Sequence, residues 1–491
     1  MSARLLISAA HKSSGKTTLS IGLCAALSAQ GLRVQPFKKG PDFIDPMWLA
    51  QASGRACYNL DPYLMQSEQI TGLFAEHSSG ADISLVEGNK GLFDGLALDG
   101  SNSNAALAHL LDLPVVLVID ARGMTRGIAP LILGYQAFDR TLRIAGVILN
   151  RLGGSRHEAK LRAVIEHYTD VSVIGAVSED SALAVTERHL GLMPSHEHDN
   201  AALQVQAIGQ RIAQQVDLQR LRAVLARPQW EQPQAEVDAA PAVRTPAPAT
   251  PQPGTLTVVP GAPAAATLPR VSVAPAQAAP APSGIHVLHR PVVRAQPAAP
   301  LRIGLARDAA FGFYYPDDLH ALERSGVQLL PFNTLQDSGL PPDLDGLFIG
   351  GGFPELFMQQ LQDNRSLRQE IATALAQGLP AYAECGGLMY LAQSLQWRGQ
   401  RCSMVGAIPG EVTMHDKPVG RGYVHLQATE HMPWEAWRGS RVRGHEFHYS
   451  SLDGLPTDTR FAWQVQRGHG VNGQCDGIVQ GNLLASYSHL R

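Results

Sequence analysis

Six short apolar runs punctuate the first half of the chain, at residues 4–9, 32–37, 83–86, 114–119, 144–149 and 171–177. Each has the length of a strand. Longer stretches able to form helices lie between them, the clearest at 19–28, close behind the first run. Strands alternating with helices predict a mainly parallel sheet with helices on both faces. The pattern lapses over 228–300, where proline and alanine dominate and charges and aromatics are few. Such a segment cannot bury enough apolar surface to offset its ordering entropy, so it reads as a partly extended tether. Alternation resumes at 301–306. A helix is expected over 317–325, with strands at 327–332, at 346–349 and at 379–384. The expected organisation is an α/β domain at 1–227, a linker at 228–300 and a second α/β domain at 301–491.

The 491 residues, 45% of them hydrophobic, suffice for two buried cores. A formal charge of −3 gives no reason to expect a nucleic-acid partner. Cys24, Cys57, Cys385, Cys402 and Cys475 form no CxxC pair, so neither a disulfide framework nor a zinc ribbon is indicated. The opening residues form a core strand without signal-peptide anatomy, and no apolar run approaches the ~20 residues that span a bilayer. A cytoplasmic protein with no membrane partner is expected.

The first run leads into Ala10-His11-Lys12-Ser13-Ser14-Gly15-Lys16-Thr17-Thr18 and then a helix. A glycine-lysine-threonine turn between strand and helix forms a phosphate cradle. Backbone N–H groups and the helix N-terminus hold the oxygens, Lys16 brings a charge, and the Thr17 hydroxyl can reach Mg²⁺. Ala10 stands where the usual spacing has its first glycine. Two further strands end in charged loops, Lys38-Lys39-Gly40-Pro41-Asp42-Phe43-Ile44-Asp45-Pro46 and Glu87-Gly88-Asn89-Lys90-Gly91-Leu92-Phe93-Asp94-Gly95. Ligands of open α/β sheets bind at such strand ends, and Glu87 there suits a metal. Singly these are ordinary solvated loops; beside a phosphate loop they point to one site. Asn150, at the end of a later strand, could contact an adenine edge or cap the next turn. His196 and His198 would face opposite sides of a strand, which argues against a shared metal.

In the second half, Ala381-Tyr382-Ala383-Glu384-Cys385-Gly386-Gly387 reads as a strand, a sharp glycine-assisted reversal and a helix. A cysteine at such an elbow is held out of the sheet with the positive helix end beside it, the arrangement of a thiolate nucleophile. Gly350-Gly351-Gly352 offers backbone N–H groups for an oxyanion. A cysteine nucleophile needs a base, and His445, His448 and His489 all compete for that role.

Together these motifs resemble the cobyrinate a,c-diamide synthase family. The likeness extends to Phe313-Tyr314-Tyr315-Pro316, to Glu355 after the glycine run, and to Gly444-His445-Glu446-Phe447-His448-Tyr449-Ser450, and it covers nearly everything except the linker. It implies a P-loop-type domain similar to dethiobiotin synthetase, followed by a class I glutamine amidotransferase domain. Such an enzyme uses ATP and Mg²⁺ to phosphorylate tetrapyrrole acetate carboxylates, and glutamine as the ammonia source, and a homodimer is the family expectation. The resemblance implies nucleotide contacts at Ser13, Ser14, Gly15, Lys16, Thr17, Thr18, Lys38 and Asn150. It places the metal at Thr17, Asp42 and Glu87, and substrate at Asp45, Lys90 and Asp94. It makes Cys385 the nucleophile, His489 its base, and Gly352 and Gly386 the oxyanion donors, with Gly351 a lesser candidate. Arg491 stands where a triad carboxylate would follow the histidine, so a Cys–His dyad with an unidentified orienting group is expected. Asn89-Lys90 and Ser101-Asn102-Ser103-Asn104 depart from the family pattern, which keeps siroheme or another sirohydrochlorin-type macrocycle as the alternative substrate. A nucleotide-binding switch protein is the alternative of another class.

Overall fold

The computed structural model describes residues 3–180, 187–188, 191–195, 200–225 and 299–491. Apart from residues 299 and 300, the tether expected over 228–300 lies outside the described residues, as do His196 and His198.

Seven strands form the sheet of the first half. They are β1 (Ala3–Ala9), β2 (Val34–Lys39), β3 (Tyr58–Leu60), β4 (Ile83–Glu87), β5 (Val115–Asp120), β6 (Ile144–Leu152) and β7 (Val173–Ser178). Their order is β3-β2-β4-β1-β5-β6-β7, and every neighbouring pair is parallel. Six strands match the apolar runs. The seventh, β3, has only three residues, too few for a periodic signal. On β1, Leu5, Ile7 and Ala9 enter one core with Leu19, Leu23 and Leu27 of helix α1 (Lys16–Ala29) and Trp48 and Leu49 of α2 (Ile44–Ser53). Leu6 enters the opposite core with Val115, Leu117 and Leu149. Burial on both faces is why these strands read as continuous apolar runs. The chain leaves β1 toward β2 on one side and later places β5 on the other. The C-terminal end of β1 is therefore the topological switch point where such sheets bind ligands.

The second half holds a ten-stranded mixed sheet. Its strands are β8 (Leu301–Ala306), β9 (Val327–Phe332), β10 (Gly346–Ile349), β11 (Ala381–Glu384), β12 (Gly420–Ala428), β13 (Arg441–His448), β14 (Arg460–Arg467), β15 (Cys475–Gln480), β16 (Leu483–Ser486) and β17 (His489–Leu490). The order is β9-β8-β10-β11-β16-β15-β14-β12-β13-β17. The pairs from β9 to β16 are parallel, and those from β16 to β17 antiparallel. Ile349, Ala383, Leu388, Leu483 and Ala485 share a buried core beneath the parallel part.

The two halves share one compact unit. Phe313 and Phe353 of the second half join the core of Ile44 and Trp48. Tyr423 Oη donates to Asp61 Oδ2 at 3.0 Å, and Arg491 Nη2 donates to Asp317 Oδ2 and to the Asn59 carbonyl at 2.6 and 2.7 Å. Among the described residues no helix is long and apolar enough to cross a membrane.

Candidate active sites

The turn between β1 and α1 is left-handed at Ser13 (φ 61°) and Gly15 (φ 86°). Glycine is required at the second position twice over, because a Cβ there would also lie 2.2 Å from Asn150 Nδ2. Asn150 Nδ2 donates to the Ser14 carbonyl at 2.8 Å, so this residue holds the loop from behind. Arg151 Nη1 does the same at the Ser13 carbonyl. Ser14 is buried, Ser13 is exposed, and Thr17 and Thr18 lie partly buried in the first turn of α1. Lys16 is nearly buried, and that burial lowers its pKa to about 8 despite the opposing charge of Glu87.

The ends of β2 and β4 converge on this loop. Thr17 Oγ1 donates to Glu87 Oε1 at 2.7 Å and approaches Asp45 Oδ2 at 3.3 Å. Lys38 Nζ lies 2.9 Å from Glu87 Oε1 and 3.6 Å from Asp42 Oδ2, and it also pairs with Asp45. Burial alone would discharge Lys38, but Asp45, Glu87 and Asp42 outweigh it and hold the ammonium protonated. Asp42 Oδ1 accepts from the N–H groups of Ile44 and Asp45, which closes the first turn of α2. Asp45, expected on the substrate side, is thus as much a part of the Thr17–Glu87 cluster as Asp42. Among the described residues no group of three His, Cys, Asp or Glu side chains is arranged as a metal site. The fully buried Glu87 nonetheless keeps Oε2 without a hydrogen-bond partner, an orphan acceptor beside the Thr17 hydroxyl that a hard cation would satisfy.

Lys90 has a left-handed backbone (φ 38°), and Asp94 Oδ2 accepts from the Gly91 N–H at 2.9 Å. Asn104 stitches this loop together. Its Nδ2 donates to Ser8 Oγ and the Gly91 carbonyl, both at 3.0 Å, and its Oδ1 accepts from the Asn89 N–H. Ser103 caps the helix that follows, Asn104–Leu110, by accepting from the Ala106 N–H.

At the second centre, Cys385 itself makes the reversal, with φ 48° and ψ −101°. The expectation that Gly386-Gly387 supplies the turn is corrected: neither has a positive φ, and both lie in the helix Gly386–Leu391. They are glycines because a Cβ on Gly387 would lie 2.1 Å from the Ile349 carbonyl oxygen, and one on Gly386 would lie 2.9 Å from Gly352 N. That close approach brings the Gly352 and Gly386 backbones together beside Cys385. Gly351 instead lies beneath the His489 ring, its Cβ position 2.6 Å from Cε1.

Of the three histidines, His489 is the one whose charged form Cys385 supports, and the two side chains line the same cavity. Its Nδ1 lies 3.1 Å from Glu384 Oε2, and both side chains are buried. Burial alone would depress the imidazole pKa. The hydrogen bonds to Cys385 and Glu384 and their charges reverse this and raise it to about 10. His445 stacks on His489 with ring centroids 4.9 Å apart. His448 is buried elsewhere, stacked on Tyr487 with Nδ1 at 2.9 Å from the Ser450 carbonyl.

One cavity of about 400 Å³ runs from the second centre to the loops that border the first. Cys385, Gly352 and His489 line one part, and Asp42, Asn89, Lys90 and Asp94 line another, with Phe43 among the walls.

Residues 6–192 match the CobQ/CobB/MinD/ParA nucleotide binding domain, and residues 302–491 the CobB/CobQ-like glutamine amidotransferase domain. The chain is 43% identical to a cobyrinate a,c-diamide synthase of Magnetococcus marinus, over 99% of this chain and 93% of that protein. The chain belongs to the cobyrinate a,c-diamide synthase family. Proteins of the same name from Methanosarcina acetivorans (39% identical, 99% and 92% covered) and Listeria monocytogenes serotype 4b (35%, 99% and 96%) are similar over the same extent. A cobyrinate a,c-diamide synthase family member uses ATP and glutamine. Neither the sirohydrochlorin reading nor the switch-protein reading is favoured by these relatives.

Within this family member, the residue that the sequence reading missed is Glu384. The orienting group left unidentified for the expected dyad is a carboxylate, supplied by the residue before the nucleophile. A glutamate closing an otherwise apolar strand, Ala381–Glu384, was the available signal.

Proposed function

We propose that the chain is a cobyrinate a,c-diamide synthase, converting the a and c acetate carboxylates of cobyrinate to amides. The observation that supports this reading is the cavity lined by Cys385 and His489 on one side and, on the other, by Asp42, Lys90 and Asp94 of the loops that border the Thr17–Glu87 cluster. Domain 1–227 forms the acyl phosphate, domain 301–491 releases ammonia, and 228–300 tethers them.

In the first domain a substrate carboxylate oxygen attacks the γ-phosphorus of ATP and ADP leaves. Ser13, Ser14, Gly15 and Thr18 cradle the phosphates, and Asn150 holds the cradle. Lys16 and Lys38 offset the charge that builds on the transferring group. Thr17 and Glu87, with Asp42 and Asp45 beside them, would hold Mg²⁺, which supplies further charge neutralisation. Lys90 faces the substrate's carboxylates, and Asp94 fixes the loop that presents it.

In the second domain the Cys385 thiolate attacks the glutamine carboxamide. The Gly352 and Gly386 N–H groups hold the oxyanion, and His489 passes its proton to the departing ammonia. Glu384 keeps the His489 ring oriented with Nδ1–H toward itself. Water then releases glutamate from the thioester, with His489 taking the proton. Ammonia crosses the cavity, attacks the acyl carbon, and phosphate leaves with loss of a proton.

Cytoplasmic placement and a homodimer belong to the same proposal, and sedimentation of the purified chain tests the latter. The deciding experiment offers cobyrinate and siroheme separately with ATP, Mg²⁺ and glutamine and counts amidations by mass. Two amidations of cobyrinate are expected. Amidation of siroheme alone would overturn the substrate assignment.

A further inference from the structure

Phe43 stands between the two centres. It follows Asp42 and precedes the helix residue Asp45, whose carboxylates pair with Lys38 beside Glu87. Its ring points the other way. It lies parallel to Phe313 (interplanar angle 2°, centroids 5.3 Å apart), and it meets Tyr315, His445 and His489 at 4.6, 5.5 and 5.0 Å. A single residue thus has its backbone in the phosphate-site turn and its side chain against the glutaminase base. The turn is not free to move alone. Asp42 Oδ1 accepts from the N–H groups of Ile44 and Asp45, so the Asp42 carboxylate and the backbone on either side of Phe43 are tied together. A ring in contact with four others, His489 among them, passes part of such a shift on to its neighbours.

We propose that Phe43 is a positioning residue through which occupancy of the phosphate site sets the placement of His489, and so couples glutamine hydrolysis to carboxylate activation. The inference rests on the two-centre reading above. With the phosphate site empty, the Asp42–Asp45 turn is held by Lys38 and the glutaminase idles. When nucleotide occupies the site, charge on the turn is redistributed, and Phe43 carries the change to the imidazole against Cys385. The logic is a coupling free energy between two sites, with Phe43 as the contact both of them share.

The test measures glutamate release by the full chain with and without ATP and Mg²⁺, with and without cobyrinate, alongside amidation supported by ammonium chloride. Wild type is expected to hydrolyse glutamine faster when the phosphate site is occupied. In Phe43→Ala that stimulation should fall about tenfold, within the roughly 5- to 150-fold span usual for coupled sites. Ammonium-supported amidation should stay near wild type, and Phe43→Tyr, which keeps the ring, should restore coupling. If Phe43→Ala does not fold, Phe43→Leu, which keeps bulk without an aromatic face, is read in the same way. Unchanged stimulation in both variants overturns the proposal. So does a wild type that shows no stimulation, or a parallel loss of glutamine- and ammonium-supported amidation. If wild type amidates no cobyrinate from either nitrogen source, the substrate reading fails instead, and the arm with ATP alone still decides for or against Phe43.

Discussion

Glu384 Oε2 lies 3.1 Å from His489 Nδ1, and the carboxylate's other oxygen accepts from the Leu490 N–H at 3.1 Å and from Tyr382 Oη at 2.7 Å. One buried group thus fixes both the ring and the backbone of the segment that carries the base. An amide in its place keeps the shape but can present an N–H to Nδ1 and so favour the wrong tautomer. Glu384→Gln is expected to lower glutamine hydrolysis roughly 10²–10⁴-fold while amidation from ammonium persists. Steady-state glutamate release in the two nitrogen regimes checks it.

The two centres are chemically separable. Cys385→Ala should abolish glutamate release and leave ammonium-supported amidation intact. Lys16→Ala should abolish amidation from either source, because the phosphoryl group then loses the buried cation of the loop. Full activity of Lys16→Ala at saturating ATP would remove the phosphate-loop assignment. Mass spectrometry of the corrinoid product reads both variants.

Two glycines should respond to alanine in opposite directions. A Cβ on Gly352 would lie 1.9 Å from the Ala310 carbonyl oxygen, so Gly352→Ala must push two backbones apart, at a cost of about 1–3 kcal/mol or more. Gly134, exposed in the helix Ile128–Phe138, has nothing within 4 Å of that position and no positive φ. Gly134→Ala should therefore stabilise by about 0.4–1 kcal/mol. Urea unfolding of the two variants measures the difference in sign.

His445 gives stability a dependence on pH. Burial first, then the positive charges of His489 and Arg491, hold its pKa well below the ordinary 6.5. The unfolded chain therefore binds a proton there below 6.5 that the folded chain does not. This residue's contribution is present above that value and is lost as pH falls, by at most about 1.4 kcal/mol per pH unit. Replacing it by glutamine should flatten the fall of Tm on acidification below pH 6.5. An unchanged slope would mean that His445 is protonated in the fold.

Much of this was legible from residue order. The parallel strands are buried on both faces, so their apolar runs stand out, and six of the seven in the first sheet coincide with the reading. The antiparallel strands β12 to β15 are harder to see, because exposed positions such as Arg421, Gln464 and Gln480 break up any apolar run. Cys385, His489 and the phosphate loop are marked by their neighbours in sequence. Glu384 and Asn104 are not: Glu384 acts on His489 105 residues away and Asn104 reaches Ser8 96 residues back, and a position in sequence does not announce a partner that folding alone supplies. Asp45 lies three residues from Asp42 on the first turn of α2, and sequence could not tell which of the two faces Thr17.

Glu384 and Cys385 are consecutive residues at the end of one strand. In a dyad completed by a residue following the histidine, the acid travels with the base. Here the acid is on the residue before the nucleophile, and both are carried by the end of β11. The base reaches them from β17, and Glu384 ties both its ring and the Leu490 backbone to that strand end. The placement of β17 against the end of β11 is therefore what sets the geometry of this centre.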